Sequence, residues 1–164
     1  MQNKKLKILH DLLTGSGISV AVAESCTGGL LSGLLTSLPG SSDYFRMGLV
    51  TYSNAAKSKL LKIPGKMLEK EGAVSAYTAQ RMSRAVRALA SSGISAAITG
   101  IAGPSGGRPG KPVGTVFIAV STAKKTICRR FLFRGARPSI RKQAAEKAIE
   151  MLTASLHSRK CARS

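Results

Sequence analysis

Residues 21–29 read AVAESCTGG. Small apolar residues run into one carboxylate, then into three adjacent side chains of nucleophile type, then into two glycines. This is the order of a strand that stops and a helix that starts. Ile18 to Ala23 is a short apolar run suited to a buried strand, and Gly28 to Leu38 is a Leu-rich helical stretch closed by Pro39-Gly40. In open α/β sheets, ligands bind beyond the carboxyl ends of strands, where loops enter helices. Glu24 to Gly29 occupies such an end. Gly28-Gly29 lets the backbone come close to a ligand, and free N–H groups at a helix start attract anions.

Outward from this stretch the elements alternate. Leu6, Leu9, Leu12 and Leu13 mark a first helix, ended by Gly15 and Gly17. Met47 to Tyr52 is a second strand. Ala55 to Leu61 is helical, and Pro64 opens another short helix at its first turn. Ser75 can cap a long helix running to about Ser91. Ser95 to Thr99 is a third strand, followed by a long glycine-rich loop from Gly100 to Pro112. Val113, Val116, Ile118 and Val120 mark a fourth strand and Ile127 to Phe133 a fifth. The link Thr122 to Lys125 is too short for a helical crossover, so these two pair antiparallel. Pro138 opens a last helix to about His157. The pattern predicts one domain over residues 1–164, a three-layer α/β/α domain with a mixed, mostly parallel five-stranded sheet.

Composition narrows the class. The 164 residues are 43% hydrophobic, which excludes a disordered chain. No apolar run approaches the roughly 20 residues of a membrane span, so no membrane partner is expected. The basic start, Met1 to Lys5, lacks a following signal-type apolar region, because Asp11 and Thr14 interrupt it. Cys26, Cys128 and Cys161 are an odd number at wide spacing. They indicate neither a disulfide framework nor a zinc site, and so a reducing, cytoplasmic setting. The 26 Lys and Arg against 7 Asp and Glu give a formal charge of +19, with twelve basic residues between Lys124 and the end. Such a balance points either to an anionic partner or to solvated basic faces. The basic residues lie among ordinary helix and strand patterns, and three Tyr, four Phe and no Trp offer few platforms for base stacking. Solvated faces are therefore the favoured reading, and nucleic acid is not the expected partner.

Ser25, Cys26 and Thr27 are all candidate nucleophiles. His10 and His157 lie in the first and last helices, away from every loop described, as surface or helix-terminal residues, so a Ser-His-Asp triad is not expected. Without histidine, a neutral lysine can activate a serine. Lys57 ends GLVTYSNAAK, residues 48–57, just after the second strand, and could approach the first strand's carboxyl end. It could equally be an ordinary helix-surface lysine. Cys26 reads better as a small buried residue of a crowded turn. Gly103, Gly106, Gly107 and Gly110 could form a second anion-binding nest, or only tight turns. The carboxylates, histidines and cysteines show no ligand-type clustering, so neither metal nor cofactor is expected.

Six blocks now carry a resemblance: AESCTGG (23–29), GSSDYFRMGLVTYSNAAKSKLL (40–61), GAVS (72–75), TGIAGPSGG (99–107), KPVGTVFIA (111–119) and FRGARPSIRKQA (133–144). In this order and spacing the chain resembles the CinA C-terminal domain family, whose stand-alone members are nicotinamide mononucleotide deamidases. It looks like the free-standing form. The resemblance implies an amidohydrolase that turns nicotinamide mononucleotide and water into nicotinic acid mononucleotide and ammonia. It implies Ser25 and Lys57 as the catalytic pair with Tyr52 beside them, and no cofactor. Neutral Lys57 would take the Ser25 proton, which requires a pKa lowered by burial or by nearby positive charge. Backbone N–H groups near Thr27 to Gly29 would stabilise the oxyanion. Arg137 and Arg141 match the family's GxRxxxR pattern and would meet the substrate phosphate. Glu24, Thr27, Gly28, Gly29, Asn54, Gly100 and Gly103 complete the expected substrate-binding set, and a homodimer is the favoured assembly. Two departures stand out: Ala76 replaces an acidic residue at a helix start, and Ser105 stands at a variable position. The rival classes are a non-enzymatic competence- or damage-associated module and a basic nucleic-acid-binding protein.

Overall fold

In the computed structural model, which describes residues 2–160, the first strand β1 (Val20–Glu24) is buried along its whole length at the centre of the molecule. Its side chains alternate between two cores. Val20 and Val22 face a layer made by α1 (Gln2–Ser16), α2 (Leu30–Leu35) and α6 (Arg137–Lys160). Ala21 and Ala23 face a layer made by α3 (Asn54–Leu61), α4 (Gly65–Glu71) and α5 (Ala76–Leu89). The remaining strands are β2 (Phe45–Val50), β3 (Ile94–Gly100), β4 (Thr115–Thr122) and β5 (Thr126–Leu132). They form one sheet in the order β2-β1-β3-β4-β5.

β1 pairs parallel with β2 and β3, whereas β4 is antiparallel to both β3 and β5. Four strands therefore run one way and β4 opposes them, a mixed sheet between two helical layers as the sequence predicts. The β4–β5 link is a tight turn, closed by Thr122 N–H donating to the Lys125 carbonyl at 2.9 Å. On the α5 face the packing uses small residues. Ala21, Ala23 and Ala97 are fully buried there, and Ser95 Oγ donates to the Ser83 carbonyl at 2.7 Å. A helix can then lie close to the sheet without an unsatisfied buried hydroxyl.

Two expected boundaries move, at α2 and at β2, and one expected cap holds. α2 starts at Leu30, because Gly28 (φ 59°) and Gly29 (φ 95°) take the left-handed conformation and cannot be helical. β2 ends at Val50, which leaves Tyr52 in the loop behind it. Ser75 does cap α5, with Oγ accepting from Thr78 N–H at 3.1 Å. His10 is not a free surface residue: its Nδ1 lies 3.1 Å from the buried Tyr44 hydroxyl. Cys161 lies outside the described residues. Among those described, no helix is long and apolar enough to cross a membrane.

Candidate active site

The site forms where β1 and β2 stop side by side. Glu24 and Val50 are register partners, and Thr51 N–H donates to the Glu24 carbonyl at 2.8 Å. On the other flank, Ser25 N–H donates to Ile98 of β3 at 3.0 Å. Ser25 is thus fixed at the carboxyl edge of the sheet between two neighbours. The chain leaving β2 turns at once into α3, capped by Ser53 Oγ, which accepts from Ala56 N–H at 3.0 Å. One turn on, Lys57 points back into the protein and is only 1% exposed.

The Lys57 amine has three neighbours. It donates to the Thr51 carbonyl at 2.8 Å and to the Tyr52 carbonyl at 3.3 Å, and Ser25 Oγ lies 3.1 Å away. It is not in any ion pair among the described residues. Burial pushes its pKa below the ordinary lysine value. Of the two causes expected, burial and nearby positive charge, burial is the one that acts. In the neutral amine, two hydrogens suit the two carbonyls and the lone pair is left to face the Ser25 hydroxyl.

Of the three adjacent nucleophile types, Ser25 is the one hydrogen-bonded to Lys57. The Cys26 thiol is buried, and burial pushes it up to about 11, so its thiolate is disfavoured at neutral pH. Thr27 is fully buried and its hydroxyl has no hydrogen-bond partner among the described residues.

Two arginines of the last helix reach this edge. Arg137 donates from Nη1 to the Gly103 carbonyl at 2.8 Å and from Nη2 to the Tyr52 hydroxyl at 2.7 Å. Arg141 donates from Nε and Nη2 to the Thr27 carbonyl, at 3.2 and 2.6 Å. Gly28 makes room for Arg141, since a Cβ there would stand 3.3 Å from its Nη2. Tyr52 is 58% exposed, a large aromatic surface at the rim of the site. Asn54 is exposed in the first turn of α3.

Three expectations need correction, and one open alternative is decided. Glu24 does not face a ligand. It is fully buried, and its carboxylate accepts from the N–H groups of Gly29, Leu31 and Ser32 and from Ser32 Oγ, at 2.7–3.1 Å. It already holds the anion place at the start of α2. The N–H groups of Gly28 and Gly29 are consequently not available to an oxyanion: Gly28 donates to the Ser25 carbonyl and Gly29 to Glu24. Those of Cys26 and Thr27 have no carbonyl partner among the described residues. Gly100 serves strand packing, because a Cβ there would stand 2.7 Å from Val116 Cγ2. Of the two readings of the second glycine loop, a tight turn is the one found at its tip, where Arg108 and Lys111 exchange both backbone hydrogen bonds. The Gly103 carbonyl accepts from Arg137 Nη1, which ties this loop to the same edge.

Thr51, Ser32 and Gly48 escaped the sequence reading. Thr51 holds the lysine through its carbonyl, Ser32 completes the shell of Glu24, and Gly48 leaves space that Ser32 fills. Ser32 eight residues after a lone carboxylate, at the next helix start, was the available signal.

A family model described as the CinA C-terminal domain matches residues 2–156. A protein named CinA-like protein from Geobacter metallireducens is 48% identical over 141 residues, which cover 86% of this chain and 34% of that protein. The chain spans about a third of the length of the curated relatives it matches. Among solved structures, a competence-damaged protein (CinA) superfamily protein from Klebsiella pneumoniae superposes with a TM-score of 0.92 at 32% identity, covering 96% of this chain and 99% of that one. A competence/damage inducible protein from Agrobacterium tumefaciens gives 0.89 at 37% identity, covering 95% and 94%.

Proposed function

The chain belongs to the CinA C-terminal domain family, and from that premise we propose that it hydrolyses the carboxamide of nicotinamide mononucleotide to nicotinic acid mononucleotide and ammonia. One observation carries the proposal: a buried lysine amine, with no counter-ion among the described residues and a lowered pKa, in contact with a serine hydroxyl at a sheet's carboxyl edge. Such a pair has no structural need for a lysine, since an unpaired buried ammonium is costly. It does suit base-assisted attack by an alcohol.

Neutral Lys57 accepts the Ser25 proton as Oγ bonds to the carboxamide carbon. The resulting oxyanion would take hydrogen bonds from the backbone N–H groups of Cys26 and Thr27, which have no carbonyl partner among the described residues. The Lys57 ammonium then returns its proton to the leaving nitrogen, the C–N bond breaks, and ammonia departs. Water attacks the acyl-serine with Lys57 again as base, which releases the acid and restores Ser25. Arg137 and Arg141 supply guanidinium groups for the substrate phosphate, with Tyr52 oriented by Arg137 at the rim.

Ammonia release from nicotinamide mononucleotide by the purified protein tests the reaction. Turnover is expected with wild type and its loss with Ser25→Ala. Near-full turnover in that variant would move the nucleophile elsewhere. The dephosphorylated riboside should turn over far more slowly, because remote binding orients the reacting group. Equal efficiency on both substrates would remove the arginines from phosphate recognition.

A further inference from the structure

No Asp or Glu occurs between Glu71 and Glu146, a stretch that holds thirteen Lys and Arg. It contains α5, β4, β5 and the start of α6. The basic excess is therefore not spread evenly, and two of its residues, Arg137 and Arg141, are absorbed by the site above. A second group gathers elsewhere. A concavity of about 400 Å³ between α5 and the β4–β5 turn is lined by Arg84, Arg87, Lys124 and Lys125 with Thr126 and Ala123. Thr122 pairs with Ile94, whose neighbour is Val20, so this hollow lies where β1 begins. Ser25 lies beyond the other end of β1, on the order of 15 Å away by strand length.

Two of the four cations are held in place by hydrogen bonds at this surface hollow. Arg84 Nε donates to Thr126 Oγ1 at 3.0 Å, which fixes the guanidinium and leaves both of its terminal amino groups without a protein acceptor among the described residues. Arg87 is half-buried and tied by Nη1 to the Ser92 carbonyl at 3.4 Å. None of the four cations forms an ion pair among the described residues. The turn's Ala123 and Lys124 N–H groups have no backbone partner there either. Four like charges converge on one hollow, and nothing on this part of the chain neutralises them. Such repulsion is relieved by a ligand of opposite charge. The volume falls in the range of small-molecule sites, and no aromatic side chain lines it to stack a base.

We propose that this hollow is a second ligand site, separate from the Ser25 edge, that takes an oligophosphate group, free or as the phosphate chain of a nucleotide. The fixed Arg84 fork and the turn lysines meet adjacent phosphates, and the turn N–H groups add neutral donors.

Calorimetric titration with inorganic triphosphate and with a nucleoside triphosphate tests this without reference to amide hydrolysis. Saturable binding is expected at about one ligand per chain, weakening as salt is raised. Lys124→Glu/Lys125→Glu, both in an exposed turn, should lower affinity about tenfold or more, with the melting temperature and ammonia release unchanged. Arg84→Gln should lower affinity in the same direction, whereas Arg141→Gln should leave it intact. Equal affinity for the two ligands assigns recognition to the phosphates alone; tighter nucleotide binding adds a base contact at the same hollow. The proposal is overturned by no saturable binding at millimolar ligand, or by binding lost in Arg141→Gln and kept in the lysine variant. Binding of duplex DNA that strengthens with length, with no binding of triphosphate, overturns it in favour of a nucleic-acid surface.

Discussion

Lys57→Met separates function from stability at a single side chain. The substitution keeps the length and apolar stem of the lysine and removes the amine. Two carbonyls, of Thr51 and Tyr52, lose a donor. An unsatisfied buried carbonyl costs roughly 1–3 kcal/mol. Against this stands relief of the desolvation penalty on a 1%-exposed amine, which reaches several kcal/mol for an ion. The two effects are of similar size, so the net change in unfolding free energy should stay within about 2 kcal/mol of zero. Loss of a general base costs roughly 10²–10⁴ in rate, or about 3–5 kcal/mol of barrier. The pH dependence has a definite sign. The folded-state pKa lies below the ordinary value of 10.5, so between the two values the unfolded chain holds a proton that the folded chain lacks. Wild-type stability therefore rises with pH through that window. The methionine variant lacks this slope, so its stability relative to wild type is greatest at low pH and shrinks toward pH 10.5. Urea melts at several pH values, with ammonia release at each, measure both effects. Turnover within tenfold of wild type would refute Lys57 as the base. Destabilisation beyond about 4 kcal/mol would show that the amine holds the fold together.

Three further outcomes follow from the same geometry. kcat/KM should rise with pH along one limb set by neutral Lys57 in the free enzyme, below pH 10.5, and Lys57→Arg should lose that limb; a flat profile in wild type would count against a lysine base. Gly28→Ala puts a side chain at φ 59° and 3.3 Å from Arg141 Nη2, so stability should fall by about 1–2 kcal/mol and KM for the mononucleotide should rise; an unchanged KM would detach Arg141 from substrate binding. Gly48→Ala drives a Cβ into Ser32 Oγ and should destabilise by about 1–3 kcal/mol, with less than additive loss when combined with Ser32→Ala; strict additivity in thermal melts would show that the two positions do not share a contact.

Much of the fold is written in local patterns. β1 and β3 follow from apolar runs, because burial on both faces leaves little freedom there, and α5 follows from a single apolar face and its Ser75 cap. The short turn after Thr122 fixes the antiparallel β4–β5 pair. The reversal of β4 against β3 was also available. Gly100 to Pro112 contains no helical pattern, and a parallel neighbour needs a crossover. Helix ends were less legible. Gly28 and Gly29 look like an opening turn of α2, yet their positive φ angles keep them outside it, and periodicity alone carries no φ.

The meeting of Ser25 and Lys57 was legible because adjacent parallel strands deliver their carboxyl ends to one place. Glu24 was not, and the reason is electrostatic. A helix start attracts whichever anion is nearest, and in this chain the nearest is covalently attached. Once the Glu24 carboxylate binds the N–H groups of Leu31 and Ser32 in α2 and of Gly29 at its cap, the helix terminus has no affinity to spare for a substrate anion. On the proposed reaction, charge recognition would then come from side chains brought from afar, and Arg137 and Arg141 arrive from α6, more than a hundred residues later. The same neutralisation bears on Lys57. Were the α2 N-terminus turned on the amine without Glu24, its partial positive charge would add to desolvation. With Glu24 in place, burial alone lowers the lysine pKa, and the pair depends on keeping water from the Thr51 and Tyr52 carbonyls. Polar enlargements beside Lys57 should therefore harm activity by rehydrating the amine, even where they touch neither Ser25 nor the arginines.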